Sequence, residues 1–217
     1  MRVNLISYTK PAGILEDEIS GIKELIAYCA RVSNPANQAN VETSDKLIKY
    51  LIKNKHWSPL EMADVTFEIE TTRDMARQML RHKSLNFQEF SQRYSDVHEL
   101  GEMFELSEAR LQDNKNRQNS IEVDDDSLKA QWNVYQQNVL KAAQEAYEWA
   151  LEKGIAKEVA RKVLPEGLTK SRMYMKGSIR SWIHYLEARQ DGSTQKEHRE
   201  IANAISEALS KIFLVEK

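Results

Sequence analysis

Val65-Thr66-Phe67-Glu68-Ile69-Glu70 alternates apolar and polar side chains one residue at a time. Successive side chains of a strand point to opposite faces, so the pattern predicts a strand with Val65, Phe67 and Ile69 on a covered face and Thr66, Glu68 and Glu70 on the other. Working outward, residues 3–8 alternate weakly and read as a first strand. Residues 21–32 place Ile22, Leu25, Ile26 and Cys29 at helical spacing, with Ser20 as N-cap and Asn34-Pro35 as terminator. Thr43, Ser44 and Asp45 open a second helix through Leu47, Ile48, Leu51 and Ile52, which stops near His56-Trp57-Ser58-Pro59. Beyond the strand, residues 74–83 return to helical period through Met75, Met79 and Leu80. Residues 102–126 form a polar excursion anchored by Met103, Phe104, Leu106 and Leu111. Residues 127–153 are the longest helical stretch, ended by Gly154, and 156–164 a short helix stopped by Pro165. A strand over 169–176 and helices over 179–189 and 195–214 follow. The fold expected is α/β (α+β), a small antiparallel sheet flanked by helices, with residues 1–217 as a single domain.

Composition narrows the function. Hydrophobic residues make up 41% and charged residues 29%, the balance of a globular protein in water. No run of about 18 apolar residues exists, which excludes a transmembrane helix, and the N-terminus lacks a signal-peptide pattern. A single cysteine, Cys29, rules out an internal disulfide framework and favours a reducing compartment, the cytoplasm. No Cys/His cluster has zinc spacing, so no metal is expected. A net charge of −2 argues against long nucleic acids. Charge is nonetheless unevenly spread: Glu122, Asp124, Asp125 and Asp126 form an acidic patch, whereas Arg73, Arg77, Arg81, Lys83 and Arg93 make one region basic. Local cation excess in a near-neutral chain suits a small anion such as a nucleotide.

The densest polar stretch is Arg81-His82-Lys83-Ser84-Leu85-Asn86-Phe87-Gln88-Glu89-Phe90-Ser91-Gln92-Arg93-Tyr94. It begins on a helix end, where Gln78 shares a face with Arg81 and His82, and runs into extended chain. There Glu89, Ser91 and Arg93 point one way, spaced about 7 Å apart. An acceptor, a hydroxyl and a guanidinium suit a ligand with donors, acceptors and a phosphate. An Arg–Glu network bracing a loop is the competing reading.

Other candidates are weaker alone. In His56-Trp57-Ser58-Pro59-Leu60-Glu61 a histidine, a hydroxyl and a carboxylate gather at a proline turn, although Ser58 could equally be a cap and His56 a dipole partner. Ile179, Trp182, Ile183 and Leu186 form the core stripe of a helix, with Arg180 and His184 sharing another side. Arg189 lies about 180° from Arg180 on that helix and reads equally as a ligand-binding group or a C-terminal dipole cation. Arg161, before Val163-Leu164-Pro165, has no reading alone. Cys29 sits on an apolar stripe and reads as a small buried hydrophobe.

Arg81-His82-Lys83, seven residues, then Ser91 and Arg93, resembles the RHR-x7-S-x-R signature of the flavin-dependent thymidylate synthases. The resemblance extends to His56-x-Ser58-x-x-Glu61, Gln78, Ala160-Arg161-x-x-Leu164-Pro165, and Ser178-Ile179-Arg180 through Arg189, and so covers nearly the whole chain. It implies reductive methylation of dUMP to dTMP, with 5,10-methylenetetrahydrofolate as carbon donor and NADPH reducing a bound FAD. It further implies a homotetramer with active sites at subunit interfaces. Carried over by position, Gln78, Met79, Leu80, Arg81, Glu89, Phe90, Ser91, Gln92, Arg93, Arg161 and Arg189 would hold dUMP. Ser58, Glu61, Arg81, His82, Lys83, Glu89, Ser178, Ile179, Arg180 and His184 would hold FAD, with His56 on the folate side. Arg189 would be catalytic, stabilising negative charge on the pyrimidine, and Ser91 would orient substrate. The chain departs from the pattern at Lys83, which keeps the charge of the motif's third arginine but loses its planar fork. Ser178 and His184 stand where asparagine is common, so weaker or more pH-sensitive FAD retention is expected.

Overall fold

The computed structural model describes residues 1–213. In chain order the elements are β1 (Arg2–Tyr8), α1 (Ile22–Ala30), α2 (Ser44–Lys53), β2 (Asp64–Thr72), α3 (Arg73–Met79), β3 (Asn86–Glu89), β4 (Arg110–Gln112), β5 (Ser120–Glu122), α4 (Asp126–Glu152), α5 (Lys157–Ala160), β6 (Lys170–Ser178), α6 (Ile179–Arg189) and α7 (Lys196–Ser210), with short 3-10 turns between them. β1, β2, β6 and β3 pair antiparallel in that order, and β4 and β5 form a separate ribbon.

The alternation in β2 decides the layering. Val65, Phe67 and Ile69 are fully buried, as are Met173 and Met175 on neighbouring β6. α6 lies on this face through Ile179, Trp182 and Leu186, as its apolar stripe predicts, and α7 adds Ile201, Ile205 and Leu209. Trp182 meets Phe67 edge-on at 5.0 Å between centroids, and its indole N–H donates to the Val65 carbonyl at 3.1 Å. The opposite face carries cross-strand polar pairs: Arg172 with Glu70, and the Tyr174 hydroxyl with Glu68. Val97, Met103, Tyr147, Ala150 and Ala160 form a second, smaller cluster under α4.

Several boundaries differ from expectation. The N-cap of α1 is Gly21, not Ser20, because Ser20 stands one residue too early to reach the first free amides. α3 ends at Met79, and a turn in which the His82 amide donates to the Met79 carbonyl redirects the chain into β3. The segment before Pro165 splits into α5 and a 3-10 turn, Arg161–Val163. The excursion over 102–126 holds the β4–β5 ribbon; Met103 is buried, whereas Leu106 and Leu111 are largely exposed and do not anchor it. Gly154 has φ +74°, a left-handed conformation that suits glycine after a helix end.

The 81–94 segment reaches the sheet through Leu85. A side chain at Gly177 would place its Cβ 2.2 Å from the Leu85 side chain, so glycine in β6 admits Leu85 and seats β3 beside it. The strand stops at Glu89. The Ser91 carbonyl accepts amide N–H bonds from Tyr94 and Ser95, so residues 91–95 turn, and Glu89, Ser91 and Arg93 do not line one extended edge as the alternation argument expected. No helix among the described residues is long and apolar enough to cross a membrane.

Candidate active site

α3, α6 and α7 converge on one polar cluster. Arg189, the last residue of α6, donates its Nε–H to His82 Nε2 at 2.8 Å. His82 therefore carries its proton on Nδ1 and is neutral. Burial is the main reason it titrates at about 4, and the Arg189 charge adds to the effect. His198 of α7 is fully buried and titrates at about 4 for the same first reason, with Arg189 and His82 contributing. Its Nδ1 lies 3.3 Å from Gln78 Oε1 and its Nε2 lies 3.1 Å from the Tyr185 hydroxyl. Tyr185, packed edge-on to His82 at 4.9 Å, is pushed up well beyond an ordinary phenol by burial. Arg189 is thus more than a helix-end cation: one face of its guanidinium region is tied to a neutral imidazole.

Three further groups stand apart. Glu89 accepts from the Ser171 hydroxyl at 2.8 Å and pairs with Arg73 at 3.4 Å. Arg93 pairs with Glu158 of α5 at 3.3 Å, one turn ahead of Arg161. Glu61 pairs with Arg180 at 2.9 Å, and on the same face of α6 His184 meets Trp57 at 4.4 Å and Glu187 at 3.2 Å. His56 packs edge-on to Tyr50 at 5.8 Å, and Ser58 and Glu61 are exposed on a 3-10 turn, Ser58–Glu61. No side-chain hydrogen bond or ion pair among the described residues joins these groups to the Arg189 cluster or to one another.

What remains unpaired indicates what the site can hold. Among the described residues Arg81, Lys83 and Arg161 have no ion-pair partner, unlike Arg73, Arg77 and Arg93. Gln92 is buried, and its Nε2 finds no acceptor among the described residues. Free guanidinium and ammonium groups with an orphan amide donor fit an anion rich in acceptor oxygens, the chemistry of a nucleotide phosphate or flavin diphosphate. Other assigned positions offer less. Met79 and Ile179 are core side chains, the Ile179 and Phe90 amides bond the Ala63 and Arg172 carbonyls, and Ser178 Oγ caps α6 by accepting from the Ser181 amide at 3.2 Å. Leu80 is half-buried at the end of α3. Cys29 is only partly buried, and burial raises its thiol pKa, away from the reactive thiolate.

His198, Tyr185 and Gln195 escaped the sequence reading, and Arg73 entered it only as part of the basic region, not as the partner of Glu89. His198 carried a detectable signal, since it precedes Ile201, Ala202, Ile205 and Leu209 on the buried stripe of α7; a lone imidazole on an apolar stripe requires polar partners from elsewhere.

The two depressed histidines set an acid sensitivity. Unfolded imidazoles titrate near 6.5, and in the folded chain these two titrate at about 4. Between those values the unfolded chain binds more protons, so stability falls as pH falls through the window and is at its full level above about 6.5. The urea midpoint is expected to drop between about pH 7 and about pH 5, and His198→Phe should flatten that dependence.

Comparison with known proteins defines the class. The family model described as thymidylate synthase complementing protein matches residues 14–213. A flavin-dependent thymidylate synthase of Synechocystis is 52% identical over 213 residues, spanning 98% of this chain and 96% of the relative. A probable flavin-dependent thymidylate synthase of Paramecium bursaria Chlorella virus 1 is 47% identical, spanning 98% and 95%. The UMP/dUMP methylase PolB of Streptomyces cacaoi, solved with 5-Br dUMP, matches with TM-score 0.80 at 26% identity, over 97% of this chain and 90% of that one. The chain belongs to the flavin-dependent thymidylate synthase family.

Proposed function

We propose that this protein converts dUMP to dTMP by reductive methylation, with bound FAD, NADPH as reductant and 5,10-methylenetetrahydrofolate as carbon donor, without a cysteine nucleophile. Family membership supports the reaction. The observation that carries the site is the neutral His82–Arg189 pair, flanked in the chain by Arg81 and Lys83, which like Arg161 have no ion-pair partner among the described residues. When bound, the flavin supplies two-electron redox chemistry that no side chain here offers.

The chain's own residues have distinct roles in this reading. Arg81, Arg93 and Arg161 bind the dUMP phosphate, with Gln78, Glu89 and Gln92 fixing the nucleotide's orientation. The Arg189 guanidinium holds negative charge on the pyrimidine, making C5 a better carbon nucleophile. Its orientation is set by His82, which stays neutral and so does not compete for the anion. The Ser91 hydroxyl makes no hydrogen bond among the described residues; with no base to activate it, Ser91 orients substrate. Arg180, Glu61, His184 and Lys83 face the flavin, and His56 the folate.

A homotetramer with active sites at subunit interfaces accounts for two features together. The assigned residues form separate groups within one chain, and α4 exposes apolar side chains, Tyr135 at 66% and Trp149 at 57% among them. Tritium release from dUMP labelled at C5, dependent on FAD, NADPH and methylenetetrahydrofolate, tests the reaction; folded protein that releases none with all three present overturns it.

Lys83 and His184 make this chain's flavin contacts distinctive. Lys83→Arg restores a bidentate fork for a diphosphate and is expected to lower the FAD dissociation constant about three- to tenfold. Flavin fluorescence across neutral pH checks this, and equal affinities in wild type, Lys83→Arg and His184→Asn would remove both residues as determinants.

A further inference from the structure

The polar chain that ends on Gln78 runs in one direction only. Glu197, as a carboxylate, accepts and cannot donate; Arg110 is paired to its Oε1, and Gln195 Nε2 donates to its Oε2 at 3.1 Å. With its nitrogen on Glu197, Gln195 turns its Oε1 to Gln78, which donates through Nε2 at 2.7 Å. Gln78 Oε1 then faces His198 Nδ1 at 3.3 Å and must accept a hydrogen bond from it. A neutral imidazole donating at Nδ1 accepts at Nε2, and the Tyr185 hydroxyl fills that position at 3.1 Å. Turning over any one amide or the imidazole would set donor against donor or acceptor against acceptor, a mismatch that is costly at the buried His198 end of the chain.

The carbonyl of Gln78 therefore faces the fully buried His198, and its nitrogen lies toward the exposed Gln195, with one amide hydrogen left over. We propose that His198 is a positioning residue: through this relay it locks the Gln78 amide nitrogen-outward, so that Gln78 offers a bound nucleotide a hydrogen-bond donor and selects an acceptor oxygen. The proposal rests on the reading of Gln78 as a dUMP contact. Without His198 only the exposed bond to Gln195 orients the amide, and a flipped amide would present its carbonyl and repel the oxygens of a phosphate or a keto group. Neither the family signature nor the charge pattern contains His198, Tyr185 or Gln195.

Two measurements on the full-length protein test this. Solid-state ¹⁵N spectra of protein labelled at its five histidines, without nucleotide, should show His198 protonated at Nδ1, the signal being assigned by its loss in His198→Phe; protonation at Nε2 overturns the relay. In binding assays His198→Phe should weaken dUMP about tenfold, raising KM more than it lowers kcat. His198→Gln, which can donate to Gln78 and accept from Tyr185, should recover most of the loss. The milder Tyr185→Phe should weaken dUMP in the same direction if His198→Phe folds poorly. Deoxyuridine, lacking phosphate, and dCMP, lacking the C4 keto oxygen, show which oxygen is read: the penalty disappears with whichever analogue lacks it. Equal dUMP affinity in wild type and in the folded variants overturns the proposal. A wild type that binds no dUMP overturns the proposed function instead, and the tautomer measurement still decides the relay.

Discussion

Replacing Arg189 with alanine is expected to lower kcat by about two to three orders of magnitude while changing flavin affinity far less. The guanidinium is held at one end of α6 by its Nε–H bond to His82 at 2.8 Å, and charge held in advance is worth most where water is scarce. Loss of the side chain has a second signature. The Arg189 charge helps depress His82, although burial is the larger cause, so in the variant His82 should titrate above about 4 and still below a free imidazole. An NMR titration of His82 reads this directly. Arg189→Lys keeps the charge but loses the fork and the Nε–H, and should recover only part of the turnover. Arg81→Ala, by contrast, should damage dUMP binding first and flavin binding with it. Equal, negligible effects of the Arg189 and Arg81 substitutions would show that the site assignment is misplaced.

Trp182→Ala should destabilise the fold by about 3–5 kcal/mol, a large share of the 5–15 kcal/mol typical of a domain. Trp182 is fully buried, crosses Phe67 edge-on at 5.0 Å and hydrogen-bonds the Val65 carbonyl at 3.1 Å. Alanine leaves a cavity between α6 and the sheet and removes the indole hydrogen bond that ties α6 to β2. Because α6 ends at Arg189, activity should fall along with stability. Thermal melting should shift down by roughly 10 °C; Trp182→Phe, which keeps most of the packing and loses the hydrogen bond, should cost about 1–2 kcal/mol. A melting temperature unchanged in Trp182→Ala would contradict the packing described.

Where side-chain period is regular, the chain could be read residue by residue. β2 and α6 fall where the spacing of Val65, Phe67 and Ile69 and of Ile179, Trp182 and Leu186 places them, because burial on one face imposes a period of 2 or 3.6. The errors cluster where tertiary contacts compete with local pattern. Glu89, Ser91 and Arg93 alternate as a strand would, yet β3 stops at Glu89: the Phe90 amide still reaches the Arg172 carbonyl of β6, and the Ser91 carbonyl then closes a turn that takes the chain away from that edge. Apolar type suggests Leu106 and Leu111 as anchors, but Leu111 lies on the two-stranded β4–β5 ribbon, Leu106 precedes it, and both are exposed.

Residue type and spacing were enough for the family and for much of the chemistry on offer: a sheet with one covered face and a surplus of cations around 73–93. These are properties of residue type and spacing, which need no knowledge of neighbours. Which cations are unpaired among the described residues depends on contacts across the fold. Arg73 and Arg93 are paired with Glu89 and Glu158, whereas Arg81 and Arg161 are not, and charge neutralisation depends on partners 16 to 65 positions away in the chain. The same holds for Gln78, whose amide carbonyl meets a histidine 120 residues distant, because a hydrogen bond's sense is fixed by the groups that meet across the fold.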